Sequence, residues 1–384
     1  MRVPAPEDFR SRLRSPAVAA RVGLWLGVCF GLCFLTGLVS HYAQNPSQPV
    51  PFPTSPAWGY RVTQAVHVLS GTAAVPLLLV KLWTVYPRLF RRPSRDLRPL
   101  ALEALERGSI GVLVAAAIFE LASGLANATR WYPWTQFSFR TTHYAVAWVA
   151  TGALLLHVAV KLPIIRDVLT TDVDATLHDR PSATRPGLLS RRGLLRTTWV
   201  AAGAAVVANA GASVPWLRRV SVFAVNDGSG PGGIPVNKTA SEVGVTAAAT
   251  ASKYALEVVG PDRTVRLSLA DLLGMPQHRE RLPIACVEGW SASGTWRGPR
   301  LRDVLDLVGA PRGSDVRVSS MQLHGPFRVT TLPGNFADDD RTLLATELDG
   351  EPLALDHGYP CRLVAPNRPG VLQTKWLGRL EVLA

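Results

Sequence analysis

The chain has 384 residues, 41 Lys and Arg against 28 Asp and Glu, a formal charge of +13, and 47% hydrophobic residues. That length allows two or more domains, and a large apolar share beside a basic excess is ordinary for a membrane protein with arginine-rich cytoplasmic loops, not for a soluble enzyme. The arginines flank apolar segments and do not cover one domain, which excludes a nucleic-acid partner; four cysteines without a CxxC pair exclude a zinc ribbon or a disulfide scaffold.

Residues 1–21 are polar and carry Arg2, Arg10, Arg12, Arg14 and Arg21. The apolar run that follows, about Val18 to Tyr42, is long enough to cross a hydrocarbon core of about 30 Å at about 1.5 Å per residue. It is too long for a cleaved signal peptide and lacks an A-x-A exit site. Further apolar runs lie at about 60–86, 108–128 and 141–162, and a fifth, rich in alanine, at about 197–217. The first connection, His41 to Tyr60, has no Lys or Arg. The second carries Arg88, Arg91, Arg92, Arg95, Arg98 and Arg107, and the stretch before the fifth run carries Arg166, Arg180, Arg185, Arg191, Arg192 and Arg196. By the positive-inside rule the N-terminus is cytoplasmic, and five spans leave the C-terminal domain outside. Trp58, Trp131, Trp134 and Trp216 fall at the expected outer boundary.

Ionisable side chains within a span are costly and usually functional. The second span holds His67, the fourth His143 and His157, and His41 ends the first. The second and fourth spans run in the same direction, so His67 and His143 share a depth near the outer end. Two imidazoles at one depth on facing helices suit a b-type haem, a lone histidine in a helix interface being the plainer alternative. His143 and His157 are 14 residues apart, about four turns on nearly one face, a spacing suited to two stacked haems. The position on the second span that would match His157 is Lys81, which leaves a second haem without a ligand pair. This arrangement resembles bacterial membrane cytochromes b. Cys29 and Cys33, one turn apart in the first span, read as small packing residues.

Ser190-Arg-Arg-Gly-Leu-Leu195, before the fifth run, resembles a twin-arginine export signal set inside the chain, although positive-inside bias alone also places an arginine pair there. A Gly/Pro/Asn linker (Asn226-Asp-Gly-Ser-Gly-Pro-Gly-Gly-Ile-Pro) separates this part from the rest. Beyond it, Tyr254 to Val259, Thr264 to Leu269, Leu282 to Val287, Asp315 to Ser319 and Tyr359 to Ala365 read as strands. Leu269 to Leu273 and Leu301 to Val308 read as helices. Short strands mixed with short helices predict an α+β domain.

One stretch in that domain carries chemistry: Ile284-Ala-Cys-Val-Glu-Gly-Trp-Ser-Ala-Ser-Gly-Thr-Trp-Arg-Gly-Pro-Arg-Leu301. Cys286 ends an apolar run, and the small residues after it let the backbone turn and approach a bulky ligand. A soft thiolate there suits a transition metal. A buried structural cysteine, or a disulfide with Cys361, fits the same spacing.

Cys-Val-Glu-Gly-Trp-Ser and Trp296-Arg-Gly-Pro-Arg-Leu resemble the molybdopterin-binding domain of the sulfite oxidase family, most closely the branch containing the periplasmic methionine sulfoxide reductase catalytic subunit. His357-Gly-Tyr-Pro-Cys-Arg-Leu-Val-Ala-Pro-Asn-Arg-Pro-Gly-Val-Leu-Gln-Thr-Lys-Trp-Leu-Gly-Arg-Leu380 is similar to that family's cofactor-binding signature. The resemblance covers about 236–384 and implies Mo-molybdopterin, with Cys286 as the molybdenum ligand. It implies Arg362 and Lys375 for the anionic pterin phosphate, Gly370, Val371 and Leu372 for a loop approaching the cofactor, and His357 for the pterin. Asn237, Ser241 and Ser320 are the weaker cofactor contacts, and Arg328, His324 and Trp290 candidates for the substrate pocket. Animal sulfite oxidases place arginines after the metal cysteine, a tyrosine near the position of Phe327, and a dimerisation domain at the end, none of which this sequence has. Sulfite is therefore not implied.

These readings predict an α-helical transmembrane bundle of four spans plus one anchor helix, followed by an α+β sulfite oxidase-type molybdopterin-binding domain. The divisions are a cytochrome b-like domain at 1–165, a cytoplasmic linker at 166–196, a fifth helix at 197–219, an extracytoplasmic linker at 220–235 and the molybdopterin domain at 236–384. The expected protein is a bacterial cytoplasmic-membrane oxidoreductase with one haem b and a molybdenum centre. Its expected partners are the lipid bilayer, the quinone pool, a small oxo substrate and, during export, the twin-arginine translocase. The expected reaction is sulfoxide-type reduction. Sulfite-like oxidation, or a non-catalytic electron carrier whose C-terminal domain lacks metal, is the alternative.

Overall fold

The computed structural model describes residues 4–45, 48, 50–90, 97–132, 138–224, 231–325 and 327–383. Of the sequence expectations, Arg2, Trp134, Arg91, Arg92, Arg95 and the linker segment 225–230 lie outside these residues. The chain packs as two compact units. The first comprises Met1–Gly37, Val66–Ala210 and Val220–Phe223, the second Leu38–Ala65, Gly211–Arg219 and Ala224–Ala384.

The first unit is helical. Its helices belong to α1 (Pro16–Ala43), α2 (Gly59–Val85), α3 (Leu97–Ala128), α4 (Phe139–Thr170) and α5 (Arg191–Ala210). The spans Pro16–Ala43, Gly59–Phe90, Glu103–Ala128 and Phe139–Thr170 are long and apolar enough to cross a membrane. Their apolar side chains point outward as well as inward: Leu35, Leu79, Leu155 and Val160 are all exposed. A helix that is apolar all round belongs in a non-aqueous surrounding.

The expected fifth span differs. The helix begins at Arg191, not near 197, and is not among the four candidates. Three arginines in its first two turns and Asn209 near its end dilute the alanine-rich run. It nevertheless packs among the others: Trp199 meets Trp25 of α1 edge to face at 4.7 Å, and Asn209 donates to the Thr72 hydroxyl of α2 at 3.1 Å. Arg191 is buried, paired with Asp179, and donates to the carbonyls of Arg12, Val173 and Ala175. Arg192 pairs with Asp172 and Asp174. Arg191 thus ties the start of α5 to the segment before α1, both arginines tie it to the segment after α4, and α1 and α5 start at the same end of the unit.

In the second unit the strands are β1 (Ala255–Val259), β2 (Thr264–Ser268), β3 (His278–Ala285), β4 (Ser291–Gly298), β5 (Val316–Ser320), β6 (Val329–Leu332), β7 (Leu343–Ala345), β8 (Glu347–Leu348), β9 (Glu351–Pro352), β10 (Arg362–Val364) and β11 (Leu377–Val382). They form a five-stranded sheet in the order β2-β1-β11-β5-β6, a four-stranded sheet β3-β4-β8-β9 and a pair β10-β7. Within the large sheet β1 and β11 are parallel, and the other pairs are antiparallel. Alternation in β1 buries Leu256 and Val258 in a core that also holds Leu301, Val304 and Leu380. The helix after β2, Leu269–Gly274, starts with Ser268 and Asp271 in a reciprocal capping box.

Most expected strands are present with shifted ends. The apolar run read as Leu282 to Val287 belongs to β3, which stops at Ala285, because the Cys286 amide already donates across a turn to the Trp290 carbonyl at 2.9 Å. Tyr359 to Ala365 shrinks to β10, since Gly358 at φ 113 and the turn after it leave extended geometry only from Arg362. The helix expected to run to Val308 ends at Asp306. Strands β4, β6–β9 and β11 have no counterpart among the expected strands. β4 is Ser-Ala-Ser-Gly-Thr-Trp-Arg-Gly, with too few branched or aromatic residues to look like a strand, and forms because it pairs with β3 along its whole length. Gly298 within it is required: a β-carbon there would lie 2.0 Å from the Leu344 carbonyl oxygen.

Candidate active site

Cys286 sits just past the end of β3, 2% exposed, in a second core with Trp290, Trp296 and Ile234. The turn from Cys286 to Trp290 is closed by two backbone hydrogen bonds and needs Gly289 at φ 87. Trp290 is fixed by its indole N–H donating to Glu288 at 2.9 Å. Both cysteines of this unit are free thiols. Cys361 lies in the first core, so the disulfide alternative is overturned.

Cys286 lies at a narrow cleft that opens to solvent and is lined by Ile234, Pro235, Asn237, Ile284, Cys286, Trp290, His357, Arg362, Gly370 and Lys375. Six of the residues expected from the sequence as catalytic or cofactor-binding come together here: Cys286, Asn237, His357, Arg362, Gly370 and Lys375. Trp290, a substrate-pocket candidate, joins them. No acidic side chain is among the lining residues.

β10 delivers Arg362, whose guanidinium donates to the His357 carbonyl at 3.1 Å and lies 5.3 Å from the Trp296 ring centre. Its Nε is buried without a partner among the described residues. Burial lowers its pKa to about 10. Lys375 enters from the turn before β11. Its ammonium donates to the carbonyls of Lys238 (2.6 Å) and Asp356 (3.0 Å) and to Asn237 Oδ1 (3.4 Å). Burial, then the neighbouring charge of Arg362, lowers its pKa to about 7. Burial pushes the Cys286 thiol up, and the Glu288 charge adds to this. Gly370 lies against the backbone of Ala285, where a β-carbon would meet the carbonyl oxygen at 2.9 Å.

A soft sulfur, two cations without acidic neighbours in the cleft, an unpartnered buried guanidine nitrogen and a glycine turn pressed on the cysteine strand fit an anionic, metal-bearing cofactor in their chemistry.

The remaining expected residues are placed elsewhere. The Ser320 hydroxyl donates to the Lys375 carbonyl at 2.7 Å and supports that turn from behind. Ser241 is exposed and bonds Thr239. Val371 and Leu372 continue the short helical turn begun by Gly370, with Leu372 buried. His324 and Arg328 are on an exposed segment, and neither is among the lining residues. Ile234 and Pro235, read as linker, line the cleft instead. Nothing in a Gly/Pro-rich stretch marked them.

In the helical unit the rings of His67 and His143 face each other with centroids 6.3 Å apart and planes at 73°. His67 Nδ1 lies 2.9 Å from the Cys33 carbonyl oxygen and 3.2 Å from the Thr36 hydroxyl, and His143 Nδ1 lies 3.0 Å from the Ser123 hydroxyl. His143 Nε2 is 3.2 Å from the Glu120 carboxylate. Gly37 and Gly124 stand beside the two rings, where β-carbons would lie 3.3 and 3.8 Å from the respective Cε1 atoms. His157 is half-buried, while Lys81 donates to the Ala19 carbonyl at 2.8 Å.

Residues 243–384 match the family described as Oxidoreductase molybdopterin binding domain. Mitochondrial sulfite oxidase of Rattus norvegicus is 32% identical over 157 residues, covering 34% of this chain and 29% of that protein. Sulfite oxidase of Arabidopsis thaliana is 32% identical over 152 residues (31% and 39%), and oxidoreductase YuiH of Bacillus subtilis 33% identical over 133 residues (34% and 65%). The chain thus spans about three tenths of the rat enzyme's length. Among solved structures, sulfane dehydrogenase SoxCD from Paracoccus pantotrophus aligns at 24% identity with a TM-score of 0.31, over 34% of this chain and 38% of that one.

Proposed function

Residues 243–384 are a molybdenum oxidoreductase domain of the sulfite oxidase family, and from that premise we propose that the chain couples a b-type haem, and through it the membrane quinone pool, to oxygen-atom transfer outside the cytoplasm. The observation that carries this reading is the His67–His143 pair. Each ring is anchored through Nδ1, and His143 Nε2, which lies 3.2 Å from the Glu120 carboxylate, would exchange that partner for the metal. With ring centroids 6.3 Å apart, His67 and His143 would be the residues that hold the haem iron. The haem would supply one-electron transfer. With Lys81 committed to a carbonyl, the reading is one haem per chain.

Helix α5 is taken as the fifth crossing. Its 20 residues reach about 30 Å, it packs on α1 and α2, and it starts at the same end as α1. The segment after it would then leave on the side of the arginine-free α1–α2 connection, the outer side by the positive-inside rule. The structural contacts of Arg191 and Arg192 also offer a reason for the arginine pair that needs no export signal.

When bound, the molybdenum cofactor supplies a two-electron redox couple and oxygen-atom transfer. The chain's part is to hold it: Cys286 provides the thiolate, Arg362 and Lys375 neutralise its anionic groups, and Gly370 permits close packing. Trp290, Ile284, Ile234 and Pro235 give apolar walls suited to a neutral organic oxide. The proposed reaction takes a sulfoxide, two electrons and two protons to a sulfide and water, with quinol supplying both electrons and protons. Detergent-solubilised protein should show one b haem by pyridine haemochrome, and His143→Ala should abolish it. An unchanged haem spectrum in that variant removes the ligand assignment. Screening sulfoxides, N-oxides and sulfite against haem oxidation or reduction decides direction, and oxidation of sulfite alone would replace the reductase reading.

A further inference from the structure

Two turns frame the cleft, and both are held by residues distant in sequence that belong to the same compact unit. The first is the turn from Ala365 to Gly370. Asn367 within it is buried and adopts φ 54, a left-handed conformation that a non-glycine residue keeps only when its surroundings hold it there. Its backbone amide and both side-chain polar atoms engage the segment from Pro53 to Tyr60: the amide donates to the Ala57 carbonyl (3.2 Å), Nδ2 to the Pro53 carbonyl (2.8 Å), and Oδ1 accepts from the Tyr60 amide (2.6 Å). Asn335 donates to the Phe52 carbonyl and Arg341 to the Ser55 hydroxyl, each at 2.9 Å, fastening the same connection.

The second turn is the one that carries Cys286. Arg61 donates to the Ser293 hydroxyl (3.2 Å) and the Ser213 carbonyl (3.0 Å), and the Ser213 hydroxyl donates to the Gly289 carbonyl (2.9 Å). Tyr60, 1% exposed, packs with Ala285, the residue before Cys286 and the one on which Gly370 rests. One short segment therefore grips both walls of the cleft.

We propose that the α1–α2 connection, Phe52 to Arg61, is a clasp that sets the spacing of the two cofactor turns, with Asn367 and Arg61 as positioning residues.

The test uses the full chain in detergent with Asn367→Gly, Asn367→Asp and Arg61→Met. Glycine tolerates the left-handed backbone but removes both side-chain bonds, whereas aspartate keeps the acceptor for the Tyr60 amide. Three quantities are measured: molybdenum per chain, the paramagnetic resonance spectrum of the partly reduced metal, and amide exchange by mass spectrometry. Asn367→Gly is expected to speed exchange over 365–373 at least tenfold, lower molybdenum content several-fold and shift the metal's spectrum, with Asn367→Asp in between. Arg61→Met should do the same over 286–291. Wild-type exchange and an unshifted spectrum in Asn367→Gly and Arg61→Met overturn the proposal. A lower melting temperature with no change at the metal also overturns it, since the contacts would then be merely structural.

Discussion

Lys375 gives the sharpest test of the cleft. Burial holds its folded pKa near 7 against 10.5 ordinarily, so between those values the unfolded chain binds more protons than the folded one. Stability contributed by this group therefore rises as pH increases from 7 towards 10.5. Linkage between those two pKa values gives about 2 kcal/mol between pH 7 and pH 9, an upper bound because the residue is only half-buried, and about 4–8 °C in melting temperature. The assay is thermal unfolding of cofactor-free full-length protein, made in cells unable to synthesise molybdopterin, at pH 7 and 9. Wild type is compared with Lys375→Met, so that other titrating groups cancel. The wild-type protein should gain on the variant as pH rises. Loading the cofactor should flatten the difference, because an anion beside the ammonium restores its charge and cofactor uptake then takes up a proton. A variant that tracks wild type at both pH values, loaded or not, refutes the buried, anion-seeking lysine.

Gly298→Ala should destabilise the molybdopterin unit by about 3 kcal/mol or more, since its β-carbon would lie 2.0 Å from a backbone oxygen and a strand must move; denaturant unfolding of the full chain measures it, and a near-neutral effect contradicts the β4–β7 approach. Alkylation of unfolded, unreduced protein should label Cys286 and Cys361 fully, whereas a disulfide would protect both together. Cys286→Ser should lose molybdenum while leaving the haem spectrum of His67 and His143 unchanged.

The sequence by itself determined much of this protein. Long apolar runs define four helices that are long and apolar enough to cross a membrane, because length and composition are both written locally. The cysteine stretch and the 357–380 stretch could be singled out because each is a short contiguous string that resembles one family's signature, and the family match over 243–384 agrees with that resemblance. Packing decided the rest. β4 is a strand only because β3 lies beside it, and α5 joins the helices through Trp25 and Thr72 despite its diluted hydropathy. Pro235 lines the cleft, Cys361 is removed from Cys286 into another core, and the hairpin loop 52–61 holds Asn367. These are contacts between residues up to about 300 positions apart, and no local pattern of side chains encodes which distant segment will supply a missing hydrogen bond.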